Sequence, residues 1–447
     1  GNPVAPLVYG QQIGKIAGRE GQLMAAPAES QEMAIYLERA RDYEARLQNV
    51  ELALEEERQA IQERIHDLRA QNADVGLIVA ASRELAALPR DAAVARERWT
   101  RLMRDNYARA QPLGGLPPHS QAYAGYPDGT PDEQKDYTES RRNFLALMFC
   151  LMVGTAGMPH LLTRYYTSPT VADARASVGW SLFFIALLYL SAPALAVLAK
   201  FEVMNNLVGS SFDHLPGWIA QWARVDASLL SIEDVNGDGI VQFGEIRLGA
   251  DLIMLATPEL GGLPYVVSGL VAAGGLAAAL STADGLLLTI SNALVRDLYF
   301  QARPRSTSLE QRVILSKFAL LAVAIAAAFV AALKPSDILP LVTASFSLAA
   351  SAFVPVMVLG IFWRGTTRQG AVAGMLCGLG VTVYYMLSHV AGVKALLAAW
   401  LLADGLWFAI QPISAGVFGV PAGLLAAALV SRITRPAPPQ PPVRLEM

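Results

Sequence analysis

Cysteine and histidine are scarce in this chain of 447 residues, with two Cys and five His. Cys150 and Cys377 both lie inside apolar runs, and no C-x-x-C pair or Cys/His ligand spacing occurs, so neither a disulfide framework nor a zinc site is expected. Charge is thin as well. Only 16% of residues are charged and the formal net charge is -3, which argues against a basic face for nucleic-acid phosphates. No nucleophile elbow, phosphate loop or metalloprotease spacing is present, so an enzyme is not expected. No charged-then-apolar leader opens the chain. It starts Gly1-Asn2-Pro3-Val4, and the expectation is that it begins inside a longer protein. What the sequence has in excess is apolar residues, at 53% with a mean hydropathy of +0.36, which is a membrane composition.

The charge that exists is unevenly placed: residues 1–142 hold more than half of all Lys, Arg, Asp and Glu. Within them Ala40, Leu47, Leu54, Ile61 and Leu68 recur every seven residues, while the companion row Tyr36, Tyr43, Val50 fails at Glu57 and Arg64. This pattern predicts one long amphipathic helix, opening near Ser30 with Glu29 and Glu32 as first-turn acids, and not a sustained coiled coil. A second helix is predicted over 91–110, and the Gly/Pro-rich stretch 114–130 reads as a linker.

From Asn143 onward the apolar runs are long enough to cross a bilayer, which takes about 20 residues each. Seven spans are predicted at 144–165, 178–198, 263–295, 315–333, 338–363, 371–390 and 415–433. The apolar stretch 395–410 is interrupted by Asp404 and followed by Pro412, so it reads as an interfacial segment. Running the first span from outside to inside puts twelve Lys/Arg in the inner loops against five in the outer ones. Residues 1–142 then form an extracytoplasmic helical region with its linker. Residues 143–435 form the membrane domain, carrying an outer insertion at 201–262, and 436–447 form a cytoplasmic tail.

Three groups of residues carry chemistry. Asp234, Asn236, Asp238, Gly239, Ile240, Gln242 and Glu245 fill every position of the twelve-residue calcium loop: side-chain oxygens at 1, 3 and 5, a turn glycine at 6, an aliphatic carbonyl donor at 7 and a closing Glu at 12. The bland alternative is an acidic surface turn. Paired loops are usual in sensors, so a single one suits a structural Ca2+. The first span holds Gly154, Thr155, Gly157, Pro159 and His160, which weaken the helical ladder near membrane depth, as at a substrate-binding cavity or at a simple proline kink. In the third span the Ala278 carbonyl and the hydroxyls of Ser281 and Thr282 cluster as neutral oxygens suited to Na+. Hydroxyls in such helices more often bond the carbonyl one turn back. Asp284, one turn beyond Ser281, is a coupling candidate, since an ionisable group at that depth is expensive, and a polar contact with another segment is its alternative.

The runs Gly154-Thr-Ala-Gly-Met-Pro-His160-Leu-Leu-Thr-Arg-Tyr-Tyr-Thr167 and Ala279-Leu-Ser-Thr-Ala-Asp-Gly-Leu-Leu-Leu-Thr-Ile-Ser-Asn-Ala-Leu-Val-Arg-Asp-Leu-Tyr299 resemble the signatures of the sodium:solute symporter family, the first most closely its acetate-permease-like bacterial branch. The likeness runs from Phe144 to about Arg435. The calcium loop and helical insertion resemble one bacterial subgroup. The resemblance implies an all-α membrane protein with the leucine-transporter-type fold of two inverted repeats. The spans up to Trp363 would be the second repeat, followed by two further helices, with the first repeat lying outside this sequence. It also implies that Ala278, Ser281 and Thr282 bind sodium and that the broken span touches substrate.

The leading expectation is therefore a multi-pass transporter of the bacterial inner membrane, coupling Na+ to a short monocarboxylate such as acetate. Its partners would be the organic acid and the lipid bilayer, with a small accessory membrane protein left open. The alternative is a calcium-binding, membrane-anchored interaction protein without transport activity, whose spans would lack buried polar clusters.

Overall fold

The computed structural model describes residues 5–71, 73–115, 123–165, 168–225, 229–299, 309–333, 338–390 and 405–434. The chain divides into two compact units, Gly1–Ala122 with Leu190–Ser268, and Tyr123–Tyr189 with Gly269–Met447.

The first unit begins with helices α1 (Ala5–Met24), α2 (Pro27–Gln48), α3 (Val50–Ala70), α4 (Val75–Ala87) and α5 (Ala92–Arg109). The single long amphipathic helix is in fact two. Asn49 leaves helical geometry at φ -140°, ψ 83°, and its side chain accepts from the Leu52 N–H at 3.4 Å, capping α3. The helix opens at Pro27, whose missing N–H costs nothing at the first position, and not at Ser30. The periodic seam is nonetheless the buried one: Val50 and Leu54 pack with Ala95 and Trp99 of α5, and Ile61 and Ile65 pack with Ala81 of α4. Asp91 caps α5 through the Val94 N–H at 2.9 Å, as the 91–110 reading requires.

The same unit contains the end of α8 (Val171–Glu202), a π-turn at Val203–Leu207, α9 (Gly217–Val225), strands β1 (Leu230–Ile232) and β2 (Ile246–Leu248), and α10 (Ala250–Leu260). The strands pair antiparallel with Ile232 opposite Ile246, which clamps residues 233–245 into a loop. Two apolar cores support it. Ile16, Leu23, Leu113, Met204, Val208 and Phe243 form one, and Leu207, Ile219, Leu230, Leu252 and Ala256 form the other.

The second unit contains α6 (Pro131–Gly157), α7 (Pro159–Tyr165), most of α8, α11 (Tyr265–Asn292) with a π-turn at Ala293–Tyr299, α12 (Leu309–Ala332), α13 (Ile338–Phe362), α14 (Arg368–Ser388) and α15 (Gly416–Ile433). Among the described residues, seven helices are long and apolar enough to cross a membrane: Pro131–Thr163, Val171–Leu207, Tyr265–Tyr299, Glu310–Ala332, Ile338–Phe362, Arg368–Ser388 and Pro412–Ile433. They coincide one for one with the predicted spans, and the protein is a multi-pass, all-α membrane protein. The first begins earlier than expected because Thr130 and Glu133 form a reciprocal capping box that starts the helix at Pro131, directly after the predicted linker.

Helices α6, α13, α14 and α15 pack closely through small residues. A Cβ at Gly374 would lie 2.9 Å from the Gly423 carbonyl, and one at Gly423 would lie 3.0 Å from the Gly374 carbonyl, so the α14 and α15 backbones approach as far as two glycines allow. Beside this contact the Thr382 hydroxyl donates to Ser351 Oγ at 2.6 Å, and Ser351 donates to the Ser347 carbonyl at 2.8 Å, all three residues being buried. Within the apolar stretch 395–410, residues 395–404 lie outside the described residues. Trp407–Ala409 forms a 3-10 turn anchored by Tyr385, which accepts from the Trp407 N–H at 3.0 Å and donates to the Ile410 carbonyl at 2.6 Å.

Candidate ion and solute sites

In α11 the Thr282 hydroxyl donates to the Ala278 carbonyl at 3.1 Å, and Ser281 stands one residue before it on the same face. Two of the three predicted oxygens, the Thr282 hydroxyl and the Ala278 carbonyl, are thus in contact. A dehydrated sodium ion takes about five or six oxygens, by analogy with the coordination of other hard cations. Ala278, Ser281, Thr282 and Asp284 are all exposed, because the described residues pack little against the middle of α11.

The break predicted in the first span lies at Met158, which has extended geometry (φ -69°, ψ 115°) between α6 and α7. Its residues divide into two roles. Gly154 and Gly157 are buried against α13, where a Cβ would meet the Phe346 carbonyl at 2.6 Å and the Ala349 carbonyl at 2.9 Å, so these glycines permit helix contact. Thr155 is exposed and donates back to the Leu151 carbonyl at 2.7 Å, while His160 is half-buried at the start of α7. The Cys150 thiol donates to the Ser414 carbonyl at 3.3 Å, and Cys377 is free, as the absence of a cysteine framework implies.

The loop at 234–245 is shaped by hydrogen bonds between its own side chains and backbone N–H groups. Gly239, at position 6, has φ 71°, which a side chain would strain. Asp234 accepts from the N–H groups of Gly237 and Gly239 at 2.7 and 3.0 Å, Asn236 from Asp238 at 3.0 Å, and Asp238 from Ile240 at 2.7 Å. Glu245 is buried and closes the loop on itself, its two oxygens accepting from Val235 and Gln242 at 2.7 and 3.0 Å. Where a second calcium loop would pair, the segment Gly209–Phe212 takes its place. The Gly209 N–H donates to the Val241 carbonyl at 2.8 Å, and the Val241 N–H donates to the Ser210 carbonyl at 2.9 Å. Among the described residues no three His, Cys, Asp or Glu side chains converge as a metal-binding group. The acids of the loop face backbone N–H groups, and the donor set is of hard oxygens that suits calcium chemically.

Sequence reasoning missed what holds this loop. Glu29 Oε1 accepts from the Phe243 N–H at 3.1 Å, and Arg109 donates to both the Gly244 carbonyl (3.1 Å) and the Tyr36 hydroxyl (3.0 Å). Glu32 lies so close over Gly244 that a Cβ there would collide with its Oε1. Burial pushes the Glu32 carboxyl up to about 8, with the neighbouring charges of Glu29 and Glu245 adding to the effect. Burial likewise raises Glu29 and Glu245. The only sequence signal for this contact was Glu29 and Glu32 themselves, which suit a helix start equally well.

Residues 255–378, which include α11, α12 and α13, match the model of the sodium:solute symporter family. Over 429 residues the chain is 48% identical to an uncharacterized symporter of Cupriavidus necator, covering 96% of this chain and 61% of that protein. It is 28% identical to a monocarboxylic acid transporter of Corynebacterium glutamicum over 53% of this chain and 37% of that protein. It is also 35% identical to the sodium/pantothenate symporter of Haemophilus influenzae over 30% of this chain and 27% of that protein. The chain therefore spans less than two thirds of the length of these relatives, all of them named as transporters. No solved structure matches it. The likeness to the sodium:solute symporter family is carried by residues 255–378.

Proposed function

We propose that this chain is the sodium-binding part of a sodium-coupled symporter for a small organic acid, a short monocarboxylate such as acetate, in a bacterial inner membrane. The observation that carries this reading is the cluster of Ala278, Ser281 and Thr282 oxygens on α11, inside the segment matched by the family. Sodium and an organic anion bound together neutralise one another where the dielectric is low, which gives a reason for coupling. The likeness to a monocarboxylic acid transporter supports the substrate class. The chain provides three oxygens; the others come from elsewhere in the complete protein, in keeping with a first inverted repeat outside this sequence. Thr155 and His160 at the α6–α7 break are the substrate-facing candidates, and Asp284 is the coupling candidate. Gly154 and Gly157 act by allowing the break to sit against α13.

Residues 1–142 and the insertion 201–262 lie on the extracytoplasmic side in this reading, and 436–447 on the cytoplasmic side. The loop at 234–245 binds Ca2+ as a structural ion. For this the Glu245 carboxylate leaves the Val235 and Gln242 N–H groups and turns to the ion together with Asp234, Asn236, Asp238, the Ile240 carbonyl and Gln242. Uptake of labelled acetate by the full-length protein across a sodium series tests the main reading. Sodium-dependent uptake is expected, and uptake that ignores sodium would remove it.

The reading of the spans as a mere anchor for a calcium-binding interaction protein expects helices without buried polar groups. Ser347, Ser351 and Thr382 are buried and hydrogen-bonded between spans, which favours the transporter.

A further inference from the structure

Between the π-turn that ends α11 and the first turns of α12 lies a crevice of about 870 Å³. Its charged lining is Arg296, Arg312 and Lys317 against the single carboxylate of Asp297, a formal excess of two positive charges. Its floor is polar and fixed: the buried Ser291 donates to the Ser316 carbonyl at 2.8 Å, tying the two helices together at this level. Deeper along both helices the walls turn apolar, at Leu288 on α11 and Leu320 on α12.

The placement of the cations sets their depth. From Lys317 to the end of α12 at Ala332 the helix rises about 22 Å, and no charged residue intervenes. In a hydrocarbon layer of about 30 Å this sets the Lys317 backbone about 8 Å inside the edge, from where the extended side chain carries the ammonium to headgroup level. The Lys and Arg bias of the loops assigns this edge to the inner face. Cations that line a walled crevice at headgroup depth, beneath apolar walls suited to acyl chains, match a phosphate-bearing amphiphile. A π-turn at Arg296 widens the helix at the same point.

We propose that this crevice binds a phosphate anion, supplied by the headgroup of an anionic phospholipid of the inner leaflet. The guanidinium groups of Arg296 and Arg312 take the phosphate oxygens, Lys317 supplies a point charge from below, and the acyl chains run along Leu288 and Leu320. This site is separate from the sodium cluster and does not depend on transport.

The test is native mass spectrometry of the full-length protein in detergent micelles doped with phosphatidylglycerol or with phosphatidylcholine. The wild type is expected to retain phosphatidylglycerol selectively. An R296Q/K317Q variant is expected to retain it about tenfold less, and an R296K/K317R variant, which keeps both charges but trades one guanidinium fork for a point charge, is expected to retain clearly more than R296Q/K317Q. The conservative variant separates lost charge from a damaged fold. Equal retention of both lipids, or undiminished phosphatidylglycerol in R296Q/K317Q, would overturn the proposal. Displacement of the lipid by millimolar inorganic phosphate would assign the crevice to a free anion and overturn the lipid source.

Discussion

The carboxylate of Glu29, near the start of α2, accepts a hydrogen bond from the backbone N–H of Phe243 at 3.1 Å, joining residues 214 positions apart. Both groups are buried. The link fixes α2 to the end of the 234–245 loop, two residues before Glu245. Replacing Glu29 by Ala leaves the Phe243 N–H buried without its partner, an expected loss of about 1–3 kcal/mol. Amide exchange in the full-length protein should then quicken at residues 241–246, and unchanged protection there would show that the contact contributes nothing.

A second prediction concerns pH. Glu32 has its carboxyl raised to about 8 by burial, with Glu29 and Glu245 adding repulsion and Arg109 opposing it. The folded state therefore holds the proton more tightly than the unfolded one. Stability from this group is full below the ordinary carboxylate range and falls as pH rises from there through about 8. The α2 contact should loosen as pH rises from the ordinary carboxylate range through about 8, read as a falling protection factor around Gly244 after correction for intrinsic exchange, and Glu32→Gln should flatten that dependence. A wild-type contact that tightens with rising pH would contradict the assignment.

Gly244 offers a steric counterpart. An alanine there meets the Glu32 carboxyl directly, so Gly244→Ala should displace α2 from the loop even though its backbone needs no unusual φ. Thermal unfolding of the first unit should begin several degrees lower. Retained wild-type melting would mean that the Glu32 side chain moves aside freely.

Calcium binding gives a fourth prediction. Glu245→Gln removes one carboxylate charge from the loop while keeping its shape, and should weaken calcium affinity strongly without altering membrane insertion. Calorimetry on the full-length protein should detect calcium-dependent heat in the wild type. Its absence at millimolar calcium would eliminate the loop as a calcium site.

The spans were legible because each depends on local pattern: about twenty apolar residues define a span wherever they fall. The helix break at Asn49 was less legible, since Leu47 and Leu54 continue the seven-residue row straight through it and the cap is a single polar side chain. The docking of Glu29, Glu32, Tyr36 and Arg109 on residues 243–244 was illegible, because acids in a first helical turn are accounted for locally by the helix dipole. The role of Gly154 and Gly157 was half legible: two glycines signal a weakened helix, and only the fold reveals α13 pressed against them. For the ion cluster, spacing alone brings Ala278, Ser281 and Thr282 onto one face. It does not tell a sodium ligand from a hydroxyl bonded one turn back, and Thr282 makes that bond.

Sodium dependence of uptake in the full-length protein tests the central claim most directly. Ser281→Ala and Thr282→Ala each remove one oxygen from the ion, and each should raise the sodium concentration for half-maximal uptake about tenfold, the effect of losing roughly 1.4 kcal/mol of ion binding. Substrate affinity at saturating sodium should change far less. Thr289→Ala, two turns along α11, removes a hydroxyl that bonds the Gly285 carbonyl at 2.8 Å and should leave sodium dependence unchanged. Wild-type sodium dependence in both Ser281→Ala and Thr282→Ala would contradict a sodium site on this helix.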